Sequence, residues 1–423
     1  MLKIPVRSSF LHSVLTLFSG TVIAQAIPFL FAPVIARLYD AEQFAAFGTL
    51  LAVFNILNVV AAGRYEQAIV LPREREQASD LAKGALFLVA CTTVLSALIL
   101  LLFGKRIEQA TSLSDLNRLI WPLVALTLLG GSQLVLLQWL LRNRAFPAIA
   151  RQKVLQSIAV TGLTLLLGWA AWHNGLVSGY LFGWLIYTAA TAWVVLRKFP
   201  LEGGWNTLHI RSALRTYRDW PLHNAWPAVL NATASGLAVI YMVSFYNVQV
   251  AGEHNFARQY LLVPISMVSV ALGQVLFERT ATRVRERMPI LADLRKVTWV
   301  LVAIALVIAL IITFSGGTLF TFVFGEQWRF AGHAAGILIW GYSAQLVGGP
   351  LGAQLIAMGK VKAAMLFPVF YALLLAFLPL FKHVEPLRFM ALLSGAEVLA
   401  YGGYVALVWY HVKRYERSIE LPA

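Results

Sequence analysis

The chain has 423 residues, of which 59% are hydrophobic and only 13% are Asp, Glu, Lys or Arg. Its mean hydropathy is +0.73, so a soluble fold could not cover its apolar surface and lipid must be the solvent for much of it. The net charge of +15 would point to nucleic acid in a soluble protein; here the basic residues lie in short stretches between apolar runs, where they orient helices and meet anionic headgroups, and nucleic acid drops out as a partner.

In chain order, apolar runs of about 20 residues, the length that crosses a bilayer, predict helices at 10–36, 44–71, 81–103, 119–141, 154–173, 176–196, 222–248, 256–278, 297–324, 332–358, 363–381 and 387–411. Lys3 and Arg7 precede the first run as in a signal peptide. That run continues to Ala36 through Pro28 and Pro33 with no small-residue cleavage site, which predicts an uncleaved first helix. With the N-terminus in the cytoplasm, basic residues in the cytoplasmic segments outnumber those on the opposite side about three to one. The expectation is an all-α integral membrane protein of about twelve transmembrane helices, with both termini cytoplasmic.

The segment 201–221 separates the first six spans from the last six. Each half opens with a polar-studded helix, carrying Ser13, Thr16, Ser19 and Gln25 in one and Asn224, Asn231, Thr233 and Ser235 in the other. This weak self-similarity predicts an N-terminal lobe at 1–200, a cytoplasmic linker at 201–221 and a C-terminal lobe at 222–423.

Ionisable and amide groups at membrane depth are costly and mark candidate sites. In the second span Asn55, Asn58, Ala62 and Tyr65 recur at helical spacing and share one face, flanked by Arg64 and Glu66. Arg64 would lie about 10 Å from the end of that helix, and either lines a wet cavity, snorkels to the headgroups or pairs locally. Arg258 marks the outer end of the eighth span, and Glu278 and Arg279 its inner end. Glu397 sits well inside the last span beside Ser394, Gly395, Gly402 and Gly403, small residues that permit close helix packing. It serves either as a structural hydrogen-bonding group or as a proton carrier. Gly348, Gly349 and Pro350, between Gln345 and Gln354, should kink or break the tenth span.

Several function classes are excluded. The single cysteine, Cys91, allows no intramolecular disulfide. No histidine pair has metal-ligand spacing, and no P-loop, nucleophile elbow or dinucleotide fingerprint is present. No cofactor or metal is expected, and without a nucleotide-binding motif any uphill transport would draw on an ion gradient, a lipid gradient or a partner.

Four segments resemble the polysaccharide flippases of the multidrug/oligosaccharidyl-lipid/polysaccharide exporter superfamily. They are Gly63 to Ala82 at the end of the second span; Asn143 to Ser157, entering the fifth; Phe256 to Phe277, the eighth; and Phe324 to Gly332, before the tenth. Gly359-Lys360 fits the turn that follows. Pro147 departs from the pattern, standing where another basic residue is more usual.

The resemblance implies two six-helix lobes around a central cavity that opens alternately to each side of a bacterial inner membrane. Its implied cargo is a polyprenyl-diphosphate-linked oligosaccharide, with membrane lipids around it and a polymerase and chain-length regulator as candidate partners. Arg64, helped by Arg142 or Arg279, would attract the diphosphate. Asn55, Asn58, Tyr65, Asn224 and Asn231 would meet sugar groups, and Glu66, Glu278 or Glu397 would carry coupling ions. A multidrug-type cation antiporter of the same superfamily is the alternative, and would want an acidic cavity. A membrane polysaccharide polymerase or glycosyltransferase would want a large outer or inner loop, which the sequence lacks.

Overall fold

A computed structural model describes residues 6–111 and 116–420. The side chains of Ser13 and Thr16 and the outermost termini lie outside the described residues. Fourteen α-helices follow one another among them: α1 Val6–Leu38, α2 Ala41–Ala61, α3 Arg75–Thr111, α4 Leu116–Arg142, α5 Phe146–Trp169, α6 Gly175–Lys198, α7 Thr207–Thr216, α8 Asp219–Phe245, α9 Val248–Arg285, α10 Leu291–Phe324, α11 Arg329–Ala357, α12 Val361–Ala364, α13 Leu366–Phe377 and α14 Pro386–Glu420. The expected spans fall on the long helices, with two exceptions: 44–71 runs past the end of α2 into a 3₁₀ turn, Tyr65–Val70, and 363–381 is the succession of α12, α13 and a 3₁₀ turn, Leu378–Phe381.

Ten of these segments among the described residues are long and apolar enough to cross a membrane; α5 and α11 have the length but are less apolar. The reason for α11 is its place in the packing. It is flanked by α9, α10 and α14 and is buried along most of its length. A helix shielded from lipid by neighbours need not be apolar all round, and its small residues let backbones approach.

The chain divides into two compact units, Met1–Gly236 and Leu237–Ala423, and the division falls within α8. In the first unit α1 packs on α5, α5 on α6, and α3 on α4. Beyond α1, Tyr39 donates its hydroxyl hydrogen to the Thr164 carbonyl at 2.6 Å. Burial pushes that phenol up to about 12. Asp40 caps α2 in a reciprocal box with Gln43, and the Gln43 amide also reaches the His173 carbonyl at 2.9 Å.

The 201–221 stretch contains α7, whose Ile210 and Leu214 pack against α3 at Gly84. Asn206 caps α7 by accepting from the Leu208 and His209 amides. The buried Lys83 ammonium holds the preceding turn by donating to the carbonyls of Glu202, Gly203 and Gly204 at 2.6, 3.1 and 2.9 Å. Asp80 lies 3.4 Å from the same nitrogen.

In the second unit, the turn Glu326–Trp328 drives Trp328 into the interior, where it stacks on Phe256 at 3.7 Å between centroids. Phe324 meets Phe256 edge-on. This aromatic plug ties the α10–α11 connection to α9.

Three expectations are corrected. The second helix stops at Ala61 rather than near 71, because Gly63 and Arg64 take left-handed conformations at φ +59° and +63°. A 3₁₀ turn, Tyr65–Val70, follows, so Tyr65 does not continue the face of Asn55 and Asn58, and Arg64 lies past the helix end. Second, α11 runs unbroken through Gly348, Gly349 and Pro350. Third, the glycines that bring α11 and α14 together are on α11. A methyl group at Gly395 or Gly402 would meet nothing within 4 Å.

Candidate functional site

In the second unit α14 lays one face into a furrow of α11. Gly341 receives Glu397, Gly348 receives Tyr401 and Gly352 receives Tyr404, so the two helices run in the same direction along their contact. The Ser394 hydroxyl wedges into one turn of α11, donating to the Ile337 carbonyl at 2.9 Å and accepting from the Gly341 amide at 3.0 Å. Such bonds hold helices together where lipid offers no hydrophobic drive for association.

That seam fixes Tyr401 beside a groove. Phe367 stacks on Tyr404 at 4.6 Å and meets Tyr401 in a tilted contact at 4.8 Å, leaving the ring of Tyr401 little freedom. Ser266, Ser269, Gly273 and Gln274 come from α9 at helical spacing, and Gln345, Gly349 and Ala353 from α11. With Tyr401 and the apolar Val270 and Phe277 they line a groove of about 530 Å³. Among the described residues no charged side chain lines it, and its donors and acceptors are hydroxyls and carboxamides. Gly349 lies directly against the Ser269 hydroxyl, and a methyl at Gly273 would meet Pro350 at 3.4 Å. Both glycines make room between α9 and α11.

Glu397 lies one helical turn before Tyr401 on α14. It is buried, and its Oε1 accepts from the Tyr371 hydroxyl at 3.2 Å. Its Oε2 has no hydrogen-bond partner among the described residues. Arg258 on α9 is close enough to act on it electrostatically.

In the first unit, Arg64 pairs with Glu66 at 3.7 Å, a long ion pair, and its Nε finds no hydrogen-bond partner among the described residues. Burial pushes the Glu66 carboxyl above the usual range, opposed by a backbone amide and by the Arg64 charge. Asn58 turns its amide oxygen toward Gly130 on α4, whereas Asn55 is exposed and Tyr65 half-buried. Asn224 is half-buried and Asn231 exposed on α8. Arg142 donates to the carbonyls of Ile69, Arg73 and Glu74, fastening the α2–α3 connection to the end of α4. Arg279 pairs with Asp293 at 2.6 Å, and Arg283 joins the same carboxylate at 2.9 Å, while Glu278 is exposed nearby in sequence.

Residues 10–277 match the family described as polysaccharide biosynthesis protein, over more than half of the chain. The chain belongs to that family. No curated protein matches it in sequence. Several solved structures share its fold at low sequence identity. An inward-facing multidrug resistance MATE family transporter of the MOP superfamily superposes at TM-score 0.70 and 14% identity, covering 95% of each chain. Lipid II flippase MurJ in an inward closed conformation gives 0.73 at 12% identity, covering 95% of this chain and 87% of that one. A MOP superfamily transporter from Pyrococcus furiosus gives 0.60 at 14%, covering 96% of each. At these identities the likeness is one of fold.

The polysaccharide biosynthesis family match takes in Ser266, Ser269, Gly273 and Gln274 but ends at Phe277, ahead of α11 and α14. Gln345 was visible in the sequence as a polar residue near Pro350. Ser269, Gln274 and Tyr401 were not, because nothing in an apolar helix marks which side meets a neighbour.

Proposed function

We propose that this member of the polysaccharide biosynthesis family is a flippase. It moves a polyprenyl-diphosphate-linked oligosaccharide from the inner to the outer leaflet of a bacterial inner membrane by alternating access. The observation that carries this reading is the uncharged lining of the groove between α9, α11 and α14, with two carboxamides, two serines and a tyrosine. Hydroxyl-rich sugars are met by such neutral donors and acceptors and by aromatic faces. A cation antiporter would need a carboxylate in the same lining, and none is there. The shape shared with a lipid II flippase supports the same assignment.

In this mechanism Arg64 attracts the diphosphate. Its long pair with Glu66 is one that a doubly charged group outcompetes. Asn55, Asn58, Tyr65, Asn224 and Asn231 contribute hydrogen bonds to the sugars, and Arg142 and Arg279 add positive charge at the helix ends. Glu397, with one carboxylate oxygen unpartnered, carries the coupling proton in preference to Glu66 or Glu278. The polyprenyl tail stays in lipid.

The test is complementation of a strain lacking the gene. Gln274→Leu with Gln345→Leu should abolish surface polysaccharide while protein level in the membrane is unchanged. Normal polysaccharide from that double variant, or a drug-susceptible deletion strain with intact polysaccharide, would overturn the assignment.

A further inference from the structure

The first unit holds a second cavity, of about 650 Å³, lined by Arg73, Arg75, Arg142 and Arg144. Among the described residues no acidic side chain is in the lining, but four apolar ones are, Val70, Pro72, Leu141 and Phe146. Val70 and Leu141 are both exposed. Charge and apolar surface thus meet in one concavity.

The arginines are placed by local structure rather than scattered. Helix α4 ends in a Schellman motif: the Ala145 amide bonds the Leu140 carbonyl and the Arg144 amide bonds the Leu141 carbonyl, each at 3.0 Å. That motif puts Arg144 in the left-handed position that glycine normally fills, at φ +53°. A strained arginine there turns its side chain out at the helix end. Arg142 is committed to carbonyls of the α2–α3 connection and so holds Arg73 against the same helix end.

Two of the charges complement the α4 carbonyl end. The other two cannot be explained in that way. Arg73 precedes α3, and Arg75 is its first residue, where the helix dipole is already positive. Arg75 is partly answered by Glu202 at 3.0 Å; Arg73 and Arg144 are exposed. Four guanidinium groups around one cavity repel each other unless an anion joins them.

We propose that this pocket binds the phosphate headgroup of a lipid, with the phosphate among Arg73, Arg75 and Arg144 and the chain along Val70, Leu141 and Phe146. Arginine forks match phosphate oxygens bidentately, and the apolar rim gives the chain a path that a free phosphate would not need. Only the polyprenyl arm rests on the transport reading; an anionic phospholipid presents the same phosphate and apolar chain without it.

Native mass spectrometry of the purified full chain in detergent tests it. The probes are phosphatidylglycerol, a polyprenyl phosphate, uncharged diacylglycerol and inorganic diphosphate. The wild type should retain one or both phosphate lipids. Uptake should be about tenfold weaker in R73Q/R144Q, from the loss of two charge-assisted contacts. R73K/R144K should retain part of it. Arg142 is left in place because it clamps the backbone. Whichever lipid binds in an arginine-dependent way identifies the source. Equal uptake by wild type and R73Q/R144Q, equal uptake of diacylglycerol, or binding of inorganic diphosphate without either lipid would overturn the proposal. A monodisperse gel-filtration profile with wild-type thermal stability shows that R73Q/R144Q is folded.

Discussion

The Glu397 carboxylate lies directly against the backbone of Gly341, in the space that a methyl group at that position would fill. A carboxylate inside the membrane-spanning part of the fold is thus held by absence of a side chain on the facing helix, and by one hydrogen bond from Tyr371. Gly341→Ala should push Glu397 off α11 and lower stability by about 1–3 kcal/mol through overpacking, seen as a fall in melting temperature. Glu397→Gln keeps the shape and the Tyr371 contact. Its melting temperature should stay near wild type while polysaccharide export falls, and unchanged export would remove Glu397 from the coupling role.

The same seam separates glycines that are needed from glycines that are not. Gly348→Ala and Gly352→Ala place a methyl into Tyr401 and Tyr404, and each should destabilise by about 1–3 kcal/mol. Gly395→Ala and Gly402→Ala meet open space and should be neutral or slightly stabilising, since alanine favours the helix by up to about 1 kcal/mol. Thermal unfolding of the four variants in one detergent decides the pattern.

Glu66 lies in the connection between α2 and α3, with its carboxyl raised by burial. The folded state therefore holds the Glu66 proton more tightly than the unfolded chain does. Its contribution to stability is fully present below the ordinary carboxyl range and is lost as pH rises through the raised value. Melting temperature followed from about pH 4 to about pH 8 should fall more steeply in the wild type than in Glu66→Gln. Parallel profiles would show that burial of this carboxyl costs nothing at neutral pH.

Lys83 ties the turn before α7 to α3 through three carbonyls, with Asp80 beside it. Lys83→Met leaves buried Asp80 with only the His209 imidazole, 3.9 Å away, and should cost about 3–5 kcal/mol. The segment 199–206 should then become the first site of limited proteolysis. Cleavage there at the wild-type rate would mean that packing of Ile210 and Leu214 on α3 suffices.

Much of the fold was legible in the sequence because hydropathy is a local property. A run long and apolar enough to cross a bilayer is visible without knowing its neighbours, and so the spans fell on the long helices. The end of α2 was not visible, since Arg64 follows Gly63 in a left-handed turn that an apolar run to Leu71 conceals. Candidate site residues were found where a charge stood out against hydrocarbon, as with Arg64 and Glu397. Ser269, Gln274 and Tyr401 stood out less, being ordinary residues of long helices.

The sequence by itself determined a membrane-embedded, all-helical chain, the places of its long helices and its membership of a polysaccharide family. Only the tertiary structure decided which helix faces meet. Gly341, Gly348 and Gly352 of α11 received side chains of α14, whereas Gly395 and Gly402 of α14 face open space, and Arg73 and Arg144, far apart in the chain, came to line one pocket. The physical reason is that hydrocarbon treats every apolar face of a helix alike. Pairing then rests on the fit of small residues against large ones and on a few hydrogen bonds such as that of Ser394, which exist only once two particular helices are in contact.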